Sequence, residues 1–393
     1  MNDELKQVFE IVNATLNHEI YQKKVENIIV YKYARENGFS GMVFVSLMHS
    51  MVEPTIYHEF QRDHYQYKQR DILQKMVIEE INQLFNAHKI NHLFLKGAFL
   101  KTIYPESYMR SMGDIDVLVD ENQMHLIHQL LPKFGYLLHS KGPSHDVFVK
   151  DKSIDIEIHP DIDTHFDGLS RIQFANIWEK QEHYKDYEYR FYSEYQILYL
   201  LSHLVKHLKS SGIGLRQVLD VGLYFKKYEL TINQVTLNNL LMESNLLRFF
   251  HTVLWLNVQW FGFQYDYKYN KTEMTEELLD EITAFMSISG VHGKGNEFNR
   301  ALPALTKHAL GSKGSKGSKM RYLLTVGFPK LSEMQGTKPY LKKYPILLPY
   351  AWVSRWFYLV FRKGNRTKNK LKNMNIDNII IEKQALLYKK MGL

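Results

Sequence analysis

Apolar positions first recur at helical spacing in the segment 65–87, through Ile72, Met76, Ile78, Ile81 and Leu84, and residues 1–90 as a whole read as helices. The pattern breaks at 92–96 (HLFLK), a short apolar run that stops at Gly97 and reads as a buried strand entering a turn. A short helix is expected over 98–103, closed by Tyr104-Pro105. Strict alternation over 114–119 (DIDVLV) predicts a strand, and 121–134 predicts an amphipathic helix that ends at Gly135, where a C-terminal cap belongs. Three more short strands are expected at 136–139, 146–149 and 153–159 (SIDIEIH). Residues 90–160 therefore read as a compact α/β unit of mixed strands, too short for a doubly wound nucleotide fold. From about Phe174 onward helices return, most clearly at 194–208 and 215–228, then at 235–247 and 248–263. The tripeptide repeat 311–319 (GSKGSKGSK) reads as a basic loop. The apolar stretch 344–361 is too short to cross a bilayer and is interrupted by Pro349 and Arg355.

Composition narrows the function classes. The 393 residues are 45% hydrophobic and 23% charged, which excludes a disordered or collagen-like chain. The absence of cysteine excludes disulfides, thiolate metal sites, iron–sulfur clusters and a cysteine nucleophile. The first residues show no basic start followed by an apolar run, so the expected location is the cytoplasm. Charge is unevenly placed. Residues 311–393 carry 14 Lys and 4 Arg against Glu333, Asp377 and Glu382, a balance of +15 within a chain of net +8. A mildly acidic body with a basic tail points to an anionic partner, or to a solvated surface that keeps the protein soluble.

Candidate chemistry concentrates at 110–119. On a strand, Asp114 and Asp116 share one face, while Ile115, Val117 and Val119 share the other. Adjacent carboxylates repel unless a cation lies between them, and hard oxygen ligands suit Mg²⁺ or Mn²⁺. A solvated strand face with ordinary acidic residues is the commoner account of an isolated D-x-D. The strand 153–159 repeats the arrangement, with Asp155, Glu157 and His159 on one face. If the two strands are neighbours, a third carboxylate joins the pair, a set fit for one or two divalent ions and displacement at phosphorus. Upstream, Gly97 would let backbone N–H groups approach a phosphate, with Lys96 as a point charge. Arg110 could clamp a phosphate bidentately.

The segments LFLKGAFLKTIYP, YMRSMGDIDVLV and IDIEIHP together resemble the "uncharacterised nucleotidyltransferase" family of the DNA polymerase β-type nucleotidyltransferase superfamily. His203, His207, Arg216 and Asp220 fall in the H…H…LR…lD pattern of its helical part, and the resemblance extends over about residues 20–362. The wider superfamily has a Gly-Ser phosphate turn where this chain has Lys96-Gly97, so phosphate binding would rest on the backbone, Lys96, Arg110 and Gly113. By the resemblance, Asp114 and Asp116 bind two Mg²⁺ or Mn²⁺ ions, and Glu157 is the third carboxylate, which completes the metal site or acts as the base on the acceptor hydroxyl, with Asp155 as its competitor and His159 in support.

The resemblance implies an α+β fold: a small mixed-sheet nucleotidyltransferase core embedded in a large, mostly helical frame. The expected divisions are a helical region at 1–89, the core at 90–165, a helical domain at 166–310 and a basic, aromatic-rich region at 311–393. It implies transfer of a nucleotidyl group from a nucleoside triphosphate to an acceptor that the sequence does not identify. The alternative is a non-catalytic binding or membrane-docking protein on the same scaffold. On spacing alone, His203 and His207 suit metal binding or helix packing, and Arg216 and Asp220 suit an intrahelical ion pair. Trp352, Trp356, Phe357, Tyr358 and Phe361 beside Arg355, Arg362, Lys363 and Arg366 suit an anionic membrane surface, RNA, or a packed helix with a basic fringe. A membrane partner would place the protein at the inner face of the membrane.

Overall fold

A computed structural model describes residues 1–142, 144–150, 154–162, 168–271, 273–290, 299, 301–310, 317–361 and 376–393. Four helices precede the sheet: α1 (Asp3–Leu16), α2 (Ile28–Glu36), α3 (Ser40–Leu47) and α4 (Pro54–Ala87). Asn2, Asn27 and Glu53 cap α1, α2 and α4 by accepting from backbone N–H groups two or three residues on. α4 is 34 residues long and starts well before the apolar periodicity suggests. Its middle presents polar rather than apolar side chains to the interior. Asp63 accepts from Tyr31, His64 meets the Gly41 carbonyl, Asp71 accepts from Lys101, and Gln74 donates to the Met112 carbonyl. Hydrogen bonding meets the burial cost of those groups. Ile56 and Phe60 of α4 join the large helical core, whereas Ile81, Leu84 and Phe85 join a second core beneath the sheet. One helix thus ties frame and sheet together.

The sheet has seven strands: β1 (His92–Phe94), β2 (Asp114–Val119), β3 (Leu137–Lys141), β4 (Asp146–Lys150), β5 (Ile154–His159), β6 (Gln181–Lys185) and β7 (Glu188–Phe191), ordered β3-β4-β5-β2-β1-β7-β6. The β2–β5 and β1–β7 pairs are parallel and the rest antiparallel, so the sheet is mixed and the fold is α+β. Ile115, Val117, Ile154, Ile156 and Ile158 face the second core, as the alternation requires. The short helix α5 (Lys96–Leu100) follows β1, and α6 (Met124–Leu130) follows β2 between two 3₁₀ turns, the second ending at Gly135 with φ +86°. Ser153, expected to open β5, lies outside the described residues.

Helices do not resume at Phe174 as the sequence suggests. The hairpin β6–β7 turns at Asp186 (φ +53°) and extends the sheet past residue 165. Its residues are mostly charged or aromatic, and only Gln181 and Phe191 are buried, which leaves little apolar periodicity to read. α7 (Gly168–Gln173) precedes it. The second frame follows as α8 (Ser193–Ser210), α9 (Leu215–Tyr228), α10 (Gln234–Glu243), α11 (Leu247–Phe261) and α12 (Glu276–Ser289).

The C-terminal part comprises α13 (Ala301–Leu310), α14 (Ser318–Gly327), α15 (Leu331–Thr337), α16 (Tyr340–Lys343), α17 (Leu348–Phe361) and α18 (Asn378–Lys390). α18 returns to the body, where the Tyr388 hydroxyl donates to the Leu208 carbonyl at 2.5 Å. Of the basic repeat, residues 311–316 lie outside the described residues, while Ser318 and Lys319 belong to α14 rather than to a loop. Arg362, Lys363 and Arg366 also lie outside them. The aromatic group expected to act together is split. Trp352 and Trp356 donate to the Pro329 and Gly327 carbonyls at 2.9 and 2.6 Å, whereas Phe357, Tyr358 and Phe361 are exposed. No helix among the described residues is long and apolar enough to cross a membrane.

Candidate active site

The parallel pairing of β2 with β5 sets Asp114 opposite Asp155, Asp116 opposite Glu157 and Leu118 opposite His159. Asp114, Asp116 and Glu157 border a cavity of about 670 Å³ whose far wall comes from α8 and α9. Asp155 is exposed and is not among the lining residues, so Glu157 is the carboxylate that meets the aspartate pair.

Asp116 is buried. Its Oδ1 accepts from Lys96 Nζ at 3.1 Å and lies 3.0 Å from His159 Nε2. Burial alone would raise its pKa, but the Lys96 charge and the His159 hydrogen bond outweigh burial and hold the carboxyl well below the usual carboxylate range. Asp114 behaves oppositely. Burial, reinforced by the charges of Asp116 and Glu157, pushes its pKa up to about 6. Two neighbouring carboxylates thus have widely separated proton affinities, a recurrent feature of functional sites.

Lys96 owes its reach to backbone geometry. Its φ of +40° is uncommon for a residue with a side chain, and it stands where β1 gives way to α5. Leu95 N–H donates to the Asp116 carbonyl at 2.9 Å, which locks that turn against β2. Gly97 is buried in α5, and a Cβ there would lie 3.0 Å from both Cβ and Sδ of Met112. Close packing against the 110–113 segment therefore accounts for this glycine, alongside its place in the cavity wall. Gly113 faces open space. Arg70 and Gln74 of α4 donate to the Met112 carbonyl, and Arg70 also donates to that of Gly113, which fixes the approach to β2.

The arginines divide their work differently from the sequence-based expectation. Arg110, expected to clamp phosphate, donates from Nε to Asp220 at 2.7 Å and from Nη1 to the Ser111 carbonyl at 2.5 Å. Asp220 also accepts from the Tyr104 hydroxyl at 2.8 Å. The expected Arg216–Asp220 ion pair is replaced by this pairing across α9, because Arg110 presents a nearer guanidinium. Arg216 instead donates from Nη1 to Ser111 Oγ, and its buried Nε has no hydrogen-bond partner among the described residues. Burial first, and then the nearby Arg110 charge, lower its pKa. His203 and His207 contact one another through their Nε2 atoms at 2.9 Å, and His207 Nδ1 lies 3.1 Å from Ser211 Oγ. The metal-type cluster found among the described residues includes neither, although His203 lines the hollow beside it.

Sequence reasoning missed Lys206, Arg35, Tyr67 and His145. The first three line the main cavity, and Lys206 and His145 line a smaller hollow of about 70 Å³ behind Glu157. Lys206 was open to discovery, since it precedes His207 on the helix already singled out. His145 carries no signal of its own, being a single histidine between two short strands.

No curated protein and no solved structure matches this chain. A family model described as "uncharacterised nucleotidyltransferase" matches residues 26–262, more than half of the chain and all of the sheet, the cavity wall and α9. With the aspartate pair and its neighbours arranged as above, the chain belongs to the family of uncharacterised nucleotidyltransferases.

Proposed function

We propose that the chain transfers a nucleotidyl group from a nucleoside triphosphate to an acceptor hydroxyl with the help of divalent metal ions. The observation that carries this reading is the register of β2 and β5, which lines up Asp114, Asp116 and Glu157 along one cavity wall. The three carboxylates fit a pair of Mg²⁺ or Mn²⁺ ions by donor chemistry: all are hard oxygen ligands, and burial together with their mutual repulsion raises Asp114 to about 6, a cost that bound cations relieve. When bound, such ions neutralise triphosphate charge and acidify a coordinated hydroxyl.

In this reading the reaction forms a bond between the acceptor oxygen and the α-phosphorus, breaks the bond to the β-phosphate and releases pyrophosphate. The chain's own residues position and exchange charge. Lys96 holds Asp116 ionised and fixes its rotamer. Arg216 lines the cavity and donates to Ser111 rather than to a carboxylate, which makes it the arginine best placed for phosphate oxygens, and Arg110 acts by anchoring Asp220 beside it. Glu157 reaches the cavity with a partly exposed carboxylate and receives the proton of the acceptor hydroxyl. Gly113 leaves the space beside Asp114 open.

The test compares Glu157→Gln with Asp155→Asn, using each labelled triphosphate, Mg²⁺ and a cell extract as the source of acceptors. Glu157→Gln is expected to lower transfer by roughly 10²-fold or more, the usual scale for a proton-transfer group, and Asp155→Asn to leave it within a few-fold. Equal losses, or the reverse order, would remove Glu157 from the site.

A further inference from the structure

His145, Glu157 and His159 bring one ligand atom each to within 4.8 Å of the others. His145 comes from the β3–β4 turn, and the other two come from β5. The Glu157 Oε2 atom lies 3.6 Å from His145 Nε2 and 3.5 Å from His159 Nε2. Both distances exceed the ordinary N–H···O range. They come close to the edge of a coordination tetrahedron, since an ion held at ~2.0–2.1 Å separates its ligands by about 3.3–3.4 Å. The three groups flank a hollow of about 70 Å³, lined also by His203 and by the Lys96 and Lys206 ammonium groups that an incoming cation must displace, with room for a further ligand.

We infer that His145, Glu157 and His159 form a site for a borderline divalent transition ion, of the Zn²⁺ or Co²⁺ class, with a fourth position open to solvent or substrate. Imidazole nitrogen discriminates against Mg²⁺ and Ca²⁺, which take oxygen ligands. Two histidines and one carboxylate with an open position match the ligand sets of reactive rather than purely structural zinc sites. His159 Nε2 is also within hydrogen-bond distance of Asp116 Oδ1 at 3.0 Å, so an ion here would replace the proton between them and sit directly behind the aspartate pair. The site shares Glu157 with the proposed transfer reaction, but its test needs no nucleotide.

Co²⁺ titration of the EDTA-stripped full chain, followed by visible absorption, tests it. One equivalent is expected to give the intense absorption of a four-coordinate ion, which one equivalent of Zn²⁺ then displaces. His145→Ala is expected to weaken binding at least ten-fold; its side chain is about one-third exposed in a turn, so the fold does not depend on it. Asp114→Asn is expected to leave the spectrum intact. A pale six-coordinate spectrum, or binding lost in Asp114→Asn and kept in His145→Ala, would overturn the assignment.

A separate observation concerns α17. Ile346, Tyr350, Val353, Phe357 and Phe361 recur at helical spacing and are all exposed, Ile346 at 87% and Phe361 at 77%. Met320, Leu324 and Phe328 add a second exposed apolar row on and after α14. Such a face is unusual on a protein that has no use for it. The two tryptophans of α17 bind the backbone at the end of α14 and just after it, at Gly327 and Pro329, so the apolar side is held outward. Within residues 317–361 there are seven Lys and Arg against Glu333 alone.

The geometry points to an anionic lipid bilayer as the occupant of this face, with the helix lying in the interface and the lysines of α16 meeting headgroups. Ile346 and Val353 offer no ring on which a base could stack, which disfavours RNA. Co-sedimentation of the full chain is expected with phosphatidylglycerol-containing vesicles, to weaken steeply with salt, and to be negligible with phosphatidylcholine alone. The double substitution Tyr350→Ser, Phe357→Ser is expected to reduce vesicle binding at least ten-fold, with thermal unfolding unchanged. Equal binding to both vesicle types, dimerisation through this face by light scattering, or RNA binding lost in the same variant in place of lipid binding would each overturn it.

Discussion

Asp116→Asn is expected to reduce nucleotidyl transfer by roughly 10²–10³-fold or more, the scale on which one charge aimed at a transition state contributes. The substitution keeps the shape and removes the charge. An amide oxygen can still accept from Lys96, so circular dichroism should change little, but the thermal midpoint should fall, because Lys96 and His159 lose the buried charge they hold ionised. Asp114→Asn should also abolish transfer, yet it should act oppositely on stability. Asp114 titrates at about 6 in the folded chain against about 3.9 in an unfolded one, so ionising it costs the folded state free energy. That cost is small at pH 4, accumulates between about 4 and 6 and is complete above 6. Asp114→Asn should therefore unfold at a higher temperature than the parent at pH 8 and at nearly the same temperature at pH 4. The same proton competes with cations, so metal affinity of the parent should fall as pH drops below about 6. Metal affinity flat between pH 5 and 8, with no pH-dependent gap in thermal midpoint, would show that Asp114 does not face Asp116 and Glu157 as described.

What the sequence discloses here is mostly what a period of 2 or 3.6 can encode. DIDVLV and IDIEIH announce β2 and β5, and their shared acidic faces imply adjacency before any pairing is known. Gly135 marks the end of the α6 region because its φ of +86° suits glycine. Leu215–Tyr228 was legible because α9 buries a wide apolar stripe. The misses have a common physical origin. The β6–β7 hairpin adds strands without burying an apolar face, and α4 fills the interior with Asp63, His64, Asp71 and Gln74. At the site, Arg110 meets Asp220 across 110 positions of chain, and His145 meets Glu157 across a hairpin. Spacing suggested Arg216 for Asp220 because i and i+4 are neighbours on any helix. The fold supplied a better partner from a different element, and no local pattern carries that information.

The Arg110–Asp220 pair should be among the most stability-sensitive points of the cavity. Both side chains are buried, the contact is 2.7 Å, and Tyr104 donates to the same carboxylate oxygen. Removing Asp220 strands two buried guanidiniums, Arg110 and Arg216, with no counter-charge between them. A broken buried pair of this kind costs about 3–5 kcal/mol, because the remaining charge loses solvation without compensation. Asp220→Asn is accordingly expected to lower the thermal midpoint by several degrees. Arg216→Ala should behave differently, although the two residues share a helix and a cavity wall. Burial and the Arg110 charge already disfavour the Arg216 cation, so deleting it relieves a repulsion and should cost little stability. Its loss should appear instead as weaker triphosphate binding, since Arg216 lines that wall and donates to Ser111 rather than to a carboxylate. Thermal unfolding of the two variants with and without a triphosphate and Mg²⁺ separates the roles. Asp220→Asn should start lower and still rise on adding ligand, whereas Arg216→Ala should start near the parent and rise less. If Arg216→Ala keeps the full ligand-induced rise, phosphate is held elsewhere, and Arg110 returns as the candidate clamp.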